Sequence, residues 1–130
     1  MHHPHSVEDM TTRSLVVKVT AGPEAPERCS QAFTVAATAA ASGVHVSLWL
    51  TGEASWFALP GRAATFSLPH ATPLPDLLAA VLEFGRVTLC TQCAARRQIA
   101  AEHLIPGIRI AGAASFVEEV TADGVQALVY

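Results

Sequence analysis

Charge is scarce in this chain. Only 15% of its 130 residues are charged, the formal net charge is −3, and one lysine, Lys18, stands among eight basic residues. The arginines are scattered apart from the Arg96-Arg97 pair. No basic patch offers nucleic acid the electrostatic footprint it needs. No apolar run approaches the roughly 20 residues of a membrane helix. The N-terminus does not run from basic to apolar as a secretion signal does, so a cytoplasmic location is expected. Three cysteines are too few and too loosely spaced for a disulfide framework. The G-x-G-x-x-G fingerprint is missing from the first strand's turn, Thr20-Ala21-Gly22-Pro23, and the chain has no Walker A sequence. No nucleotide or other cofactor is implied.

What remains is mostly apolar, 51% of the residues, and long enough for one domain with a real core. Residues 1–14 are polar and aperiodic. With His2, His3 and His5 they read as a flexible leader whose metal binding would be incidental. Residues 15–130 read as a single domain of alternating strands and helices. Leu15 to Thr20 forms a first strand. A helix from Pro26 to Ser42 packs through Phe33, Ala36, Ala37 and Ala40 and ends at Gly43. Val44 to Leu50 forms a second strand. Residues 55–75 lose regular order but hold Trp56, Phe57 and Phe66, which suits an arm over the functional edge or against another subunit. Leu74 to Phe84 is a helix with Leu77, Leu78, Val81 and Leu82 at core spacing. Strands follow at Arg86–Leu89, Ile108–Ile110 and Val125–Tyr130, with a helix at Ala114–Val120. This alternation predicts an α/β domain: three layers (α/β/α), flavodoxin-like, around a five-stranded, largely parallel sheet.

The chemistry gathers at Val87-Thr88-Leu89-Cys90-Thr91-Gln92-Cys93-Ala94-Ala95-Arg96-Arg97. A β-branched apolar strand runs into a Cys-x-x-Cys and then into a helix expected to reach Glu102 or Leu104, with Thr91 as its N-cap. A thiolate at that junction gains from the positive helix end, with Arg96 and Arg97 adding potential. Cys90 and Cys93 admit four readings. One is a nucleophilic thiol that carries sulfur as a persulfide. The second is a dithiol–disulfide redox pair, although the thioredoxin order of elements and its cis-proline loop are absent. The third is half a zinc site, with only Cys29, His45, His70 and His103 as distant partners. The fourth is a pair of inert thiols, incidental to a non-catalytic ligand-binding or structural oligomer. Arg96 and Arg97 read equally as solvated helix residues or salt-bridge partners. Cys29 reads as a small buried residue, or as a further thiol near the same edge.

The segment Val87 to Arg97 resembles the DsrE/DsrF-like family of small sulfur-relay proteins, to which the YchN-like and Tus-type subunits belong. It shares a cysteine at a strand end, small residues, then a basic pair. Pro106 to Val117 and Asp123 to Tyr130 are similar to the family's last strand–turn–helix and closing strand. The resemblance implies a flavodoxin-like fold and a homotrimer or hexamer. It also implies sulfur donor and acceptor proteins as partners, and Cys90 as the reactive cysteine. Cys93 corresponds to a second cysteine found in some relatives. The Cys-x-x-Cys and Arg97-Gln98, where Arg-Gly is common, are departures from the family pattern.

Overall fold

The strand Ser14–Val19 (β1) lies inside a five-stranded sheet whose order is β4-β3-β2-β1-β5 and whose pairings are all parallel. The other strands are His45–Leu50 (β2), Arg86–Cys90 (β3), Ile108–Ala111 (β4) and Val125–Val129 (β5). The computed structural model describes residues 13–130, so the expected leader lies outside the described residues apart from Arg13 and Ser14. The helices are Pro26–Ala41 (α1), Leu74–Phe84 (α2), Thr91–Arg96 (α3) and Ala113–Val120 (α4). The expected α/β architecture is present, with helices on both faces of the sheet.

The two faces are covered unequally. From β1 to β4 the chain steps across the sheet in one direction, so crossovers of one hand put α1, α2 and α3 on one face. Val17, Val19, Leu48, Leu50, Val87 and Leu89 point into that layer and meet Phe33, Ala36 and Ala40 of α1 and Leu74, Leu78 and Val81 of α2. Alanine on α1 suits this geometry, because a small side chain lets the helix lie close to its neighbours. From β4 the chain returns to the opposite edge to form β5, and that reversal carries α4 to the other face. The alternate residues Lys18, Trp49, Thr88 and Arg109 stand there in one row, set by the registers Lys18↔Trp49, Trp49↔Thr88 and Thr88↔Arg109.

α4 is held over that row by an aromatic and an acid. Phe116 packs edge-on against Trp49, with ring centroids 5.3 Å apart. The Glu119 carboxylate accepts from the Ser47 hydroxyl at 2.6 Å and from the Trp49 indole N–H at 3.0 Å, and it pairs with Arg109 and Arg86. Arg109 also donates to the Thr88 hydroxyl at 2.8 Å. Burial opposes ionisation of Glu119. The Ser47, Trp49 and Arg109 donors outweigh it and hold the acid below its usual range.

Four expectations are corrected. The helix after the cysteines stops at Arg96 instead of running to residue 102 or 104. Gln98 turns to a φ of 54°, Ile99 returns its N–H to the Ala94 carbonyl, and Ile99 enters the core. Burying that isoleucine ends the helix, and a short 3-10 turn, Ala101–His103, follows. Thr91 is the first helical residue, and Cys90 takes the N-cap position ahead of it. The irregular segment contains 3-10 turns at Gly52–Ala58 and Ala63–Thr65. Its Phe57 is buried between Phe33 and Phe66. Phe57 is 2% exposed, so this ring of the expected arm faces the core and not another subunit.

Candidate functional site

Cys90 ends β3, next to the place where successive connections leave the parallel sheet on opposite faces. The loop after β3 leads to α3 on one face, and the loop after the adjacent β4 leads to α4 on the other. Neighbouring strands whose connections part in this way open a crevice at their C-terminal ends, the usual place for a ligand in an open α/β sheet. The register pairs Cys90 with Ala111, and Gly112 beyond it comes close to the Thr91 hydroxyl. A Cβ at Gly112 would stand 3.6 Å from that oxygen, an ordinary contact, so the β4 loop packs closely on the start of α3.

Cys90 is half-buried and Cys93 is buried, and both are free thiols. Burial works against a Cys90 thiolate. The backbone N–H groups of Cys93 and Gln92, the Cys93 thiol and the positive charge of Lys18 outweigh that cost, and the net effect lowers its pKa from the ordinary 9.0. Cys93 is fixed from behind, because the Gly52 N–H donates to its sulfur at 3.4 Å. Cys29 is the opposite case. It is fully buried in the core, and burial, aided by Glu24, pushes its pKa up to about 12. It is a core residue of α1.

The predicted basic pair separates. Arg97 binds the Glu53 carboxylate at 2.8 and 3.2 Å and donates to the Cys93 carbonyl at 3.1 Å. Its charge is thus shared with an acid, and it ties α3 to the Gly52–Ala58 turn. Glu53 is about half exposed, which limits such a pair to roughly 0.2–1 kcal/mol. Arg96 and Thr91 are exposed on α3. The cation that acts on Cys90 is Lys18, a residue that sequence spacing passes over because it comes from β1, two strands away.

Among the described residues no three of His, Cys, Asp and Glu converge as metal ligands, so Cys29, His45, His70 and His103 do not complete a set with the cysteine pair. No described helix is long and apolar enough to cross a membrane. Clefts of about 420 and 460 Å³ lie at the N-terminal edge of the sheet and beside α1, and neither is lined by Cys90 or Cys93. At the cysteine edge, Cys90 is partly exposed and Cys93 is covered.

Fold and edge together define an α/β protein with a half-exposed thiol at the switch point of a parallel sheet. The model of the DsrE/DsrF-like family matches residues 13–128, and the chain belongs to that family. Among solved structures it is similar to the ychN protein from E. coli, with 20% identity and a TM-score of 0.73, covering 91% of this chain and 99% of that one. It is also similar to MTH1491 from Methanobacterium thermoautotrophicum, a protein of unknown function. There the identity is 7% and the TM-score 0.67, again covering 91% of this chain and 99% of the other. At such identities the likeness is one of fold. No functionally curated protein matches the chain.

Proposed function

We propose that this protein is a sulfur carrier of sulfurtransferase type, with Cys90 as the thiol that holds sulfur as a persulfide. The observation that carries the proposal is the state of Cys90. It is a partly accessible thiol at the sheet's switch point, with its thiolate favoured by nearby N–H groups and a lysine. Membership of the DsrE/DsrF-like family, implicated in sulfur relay, supports the same reading.

The chemistry is two thiol exchanges. The Cys90 thiolate attacks the outer sulfur of a donor persulfide. A new S–S bond forms at Cys90, and the donor's own S–S bond breaks, its electron pair leaving on the donor thiolate. The proton on the transferred sulfur travels with it and is then lost to solvent, which leaves the Cys90 persulfide as an anion. An acceptor thiolate then attacks that outer sulfur, and Cys90 leaves as a thiolate, ready for another cycle. A lowered pKa serves both halves, because it supplies the nucleophile and makes Cys90 a better leaving group.

Cys93 supports a second reading, that of a dithiol. It lies three positions from Cys90 at the start of the same helix, and its thiol contributes to lowering the Cys90 pKa. A Cys93 thiolate that attacks the inner sulfur of the persulfide would form a Cys90–Cys93 disulfide and release hydrosulfide. Loading with a sulfane-sulfur donor followed by intact-mass measurement separates the readings. A carrier gains one sulfur through Cys90 alone, whereas a redox pair loses two hydrogens and needs both cysteines.

The carrier would work as a homotrimer or hexamer and meet its donor and acceptor as proteins in the cytoplasm. Exposed apolar residues support self-association. Val129 is 65% exposed, Phe84 56%, Val117 55% and Leu128 40%. Leu128 and Val129 lie on β5, an edge strand whose outer side is unpaired among the described residues. Monomers seldom leave such a strand uncovered.

A further inference from the structure

Among the described residues, Lys18 is a half-buried cation in no ion pair. Among the described residues, the ion pairs join Arg86 and Arg109 to Glu119 and Arg97 to Glu53, and none includes Lys18. Its ammonium group stands 5.1 Å from the centre of the Phe116 ring, and Phe116 in turn packs on Trp49. A ring face steadies a cation by about 0.5–2 kcal/mol without neutralising it. The positive potential of Lys18 therefore remains available, in surroundings that screen charge less than water does.

The sheet directs that potential toward Cys90. Lys18, Trp49 and Thr88 share one row on the α4 face, and by strand alternation Cys90 lies one step further along the same face. β1 and β3 are two strand spacings apart, about 10 Å, which is well inside the Debye length of about 30 Å at 0.01 M salt. A small anion near Cys90 would lie between the thiol and the ammonium, over the Trp49–Phe116 shelf. Glu119 is the carboxylate on α4 that faces this side of the sheet, and its charge is committed to Arg109 and Arg86.

We propose that Lys18 is a positioning residue that draws anionic sulfur species to Cys90 and holds the charged persulfide once formed. This rests on the reading of Cys90 as the nucleophile, and it names the charge of the small-molecule group that the cysteine edge receives. Arginine at position 18 would retain the effect, and a neutral side chain would abolish it.

The test uses two alkylating reagents of similar size and the same chemistry, iodoacetate (an anion) and iodoacetamide (neutral). Rates at Cys90 are followed by peptide mass mapping at neutral pH and low salt, against an unfolded peptide carrying the same cysteine. In the intact protein the iodoacetate-to-iodoacetamide ratio should exceed that of the peptide by a factor on the order of 10. Lys18→Met should bring the ratio down to the peptide's value, Lys18→Arg should retain most of it, and high salt should erase it. A ratio that is the same in Lys18→Met as in the native protein overturns the proposal. So does a native ratio equal to the peptide's at low salt, which requires no variant to fold. If iodoacetamide also reacts with Cys90 more slowly than with the peptide, the nucleophile itself is wrong and both claims fall.

Discussion

The Gly52 N–H donates to the sulfur of Cys93 at 3.4 Å, so the turn after β2 grips the helix that follows β3. Gly52 has a φ of 53°, and a Cβ built there would lie 2.3 Å from the Thr20 carbonyl oxygen. No L-side chain fits this position. Gly52→Ala should therefore lower the unfolding free energy by at least about 1–2 kcal/mol, the cost of the left-handed backbone alone. Because the same turn steadies Cys93, the variant should also expose that thiol. Chemical denaturation and thiol titration of the native protein check the two effects. An alanine variant with unchanged stability and a protected Cys93 would mean that the turn is not built as described.

Glu119 anchors α4, and its removal leaves several donors without an acceptor. Trp49, with its indole N–H, is almost fully buried, and Ser47 and Arg109 would lose the same partner. Glu119→Ala should cost about 2–3 kcal/mol, whereas the exposed neighbour Glu118→Ala should stay within about 0.5 kcal/mol. The pH dependence follows from the sign of the shift. The folded-state pKa of Glu119 lies below its ordinary 4.5, so its contribution is fully present above that value and is lost as pH falls through the lowered one. Urea denaturation along an acid series should show this limb in the native protein and a flatter one in Glu119→Gln.

The alternation of strands and helices was legible because its signals are local. Val87 to Leu89 is an uninterrupted β-branched and apolar run, Leu77, Leu78 and Val81 repeat at helical spacing, and Gly43 and Gly85 close their helices. The cysteine edge was legible for the same reason, since Cys90 adjoins both the strand and the helix start. What escaped is what depends on tertiary register. Lys18 and Glu119 lie 72 and 29 positions from Cys90 and meet that face only once the sheet is assembled. The early end of α3 also depends on the core, since helix-tolerant residues continue past Arg97 and only the burial of Ile99 turns the chain. The roles of Arg96 and Arg97 could not be separated by spacing, because Glu53, which engages Arg97, belongs to another element.

Cys90 and Cys29 should differ sharply in reactivity. With iodoacetamide, the Cys90 rate should rise with pH about a midpoint below the ordinary 9.0, since its thiolate is favoured. Cys29, pushed up to about 12 and fully buried, should stay unmodified until the protein unfolds. Replacing Cys93 by alanine removes a group that favours the Cys90 thiolate and should move the Cys90 midpoint upward. Mass mapping of a pH series resolves the cysteines separately. Equal labelling of Cys29 and Cys90 in the native state would contradict the burial that distinguishes them.

Self-association should depend on β5. Val129→Asp places a charge on the exposed edge strand, where it costs the monomer little and opposes apolar contact between copies. Sedimentation velocity should show the native chain as an oligomer and the variant shifted toward monomer with its circular dichroism intact. A native chain that sediments as a monomer at all accessible concentrations would remove the oligomer from the account.

The central claim is that Cys90 alone accepts sulfur, and intact-mass spectrometry tests it most directly. The reduced protein, Cys90→Ser and Cys93→Ser are each incubated with a sulfane-sulfur donor, freed of excess reagent and weighed. The account predicts the mass of one added sulfur atom on the native chain and on Cys93→Ser, and none on Cys90→Ser. Sulfur that persists in Cys90→Ser, or a native chain that takes up none, would contradict it.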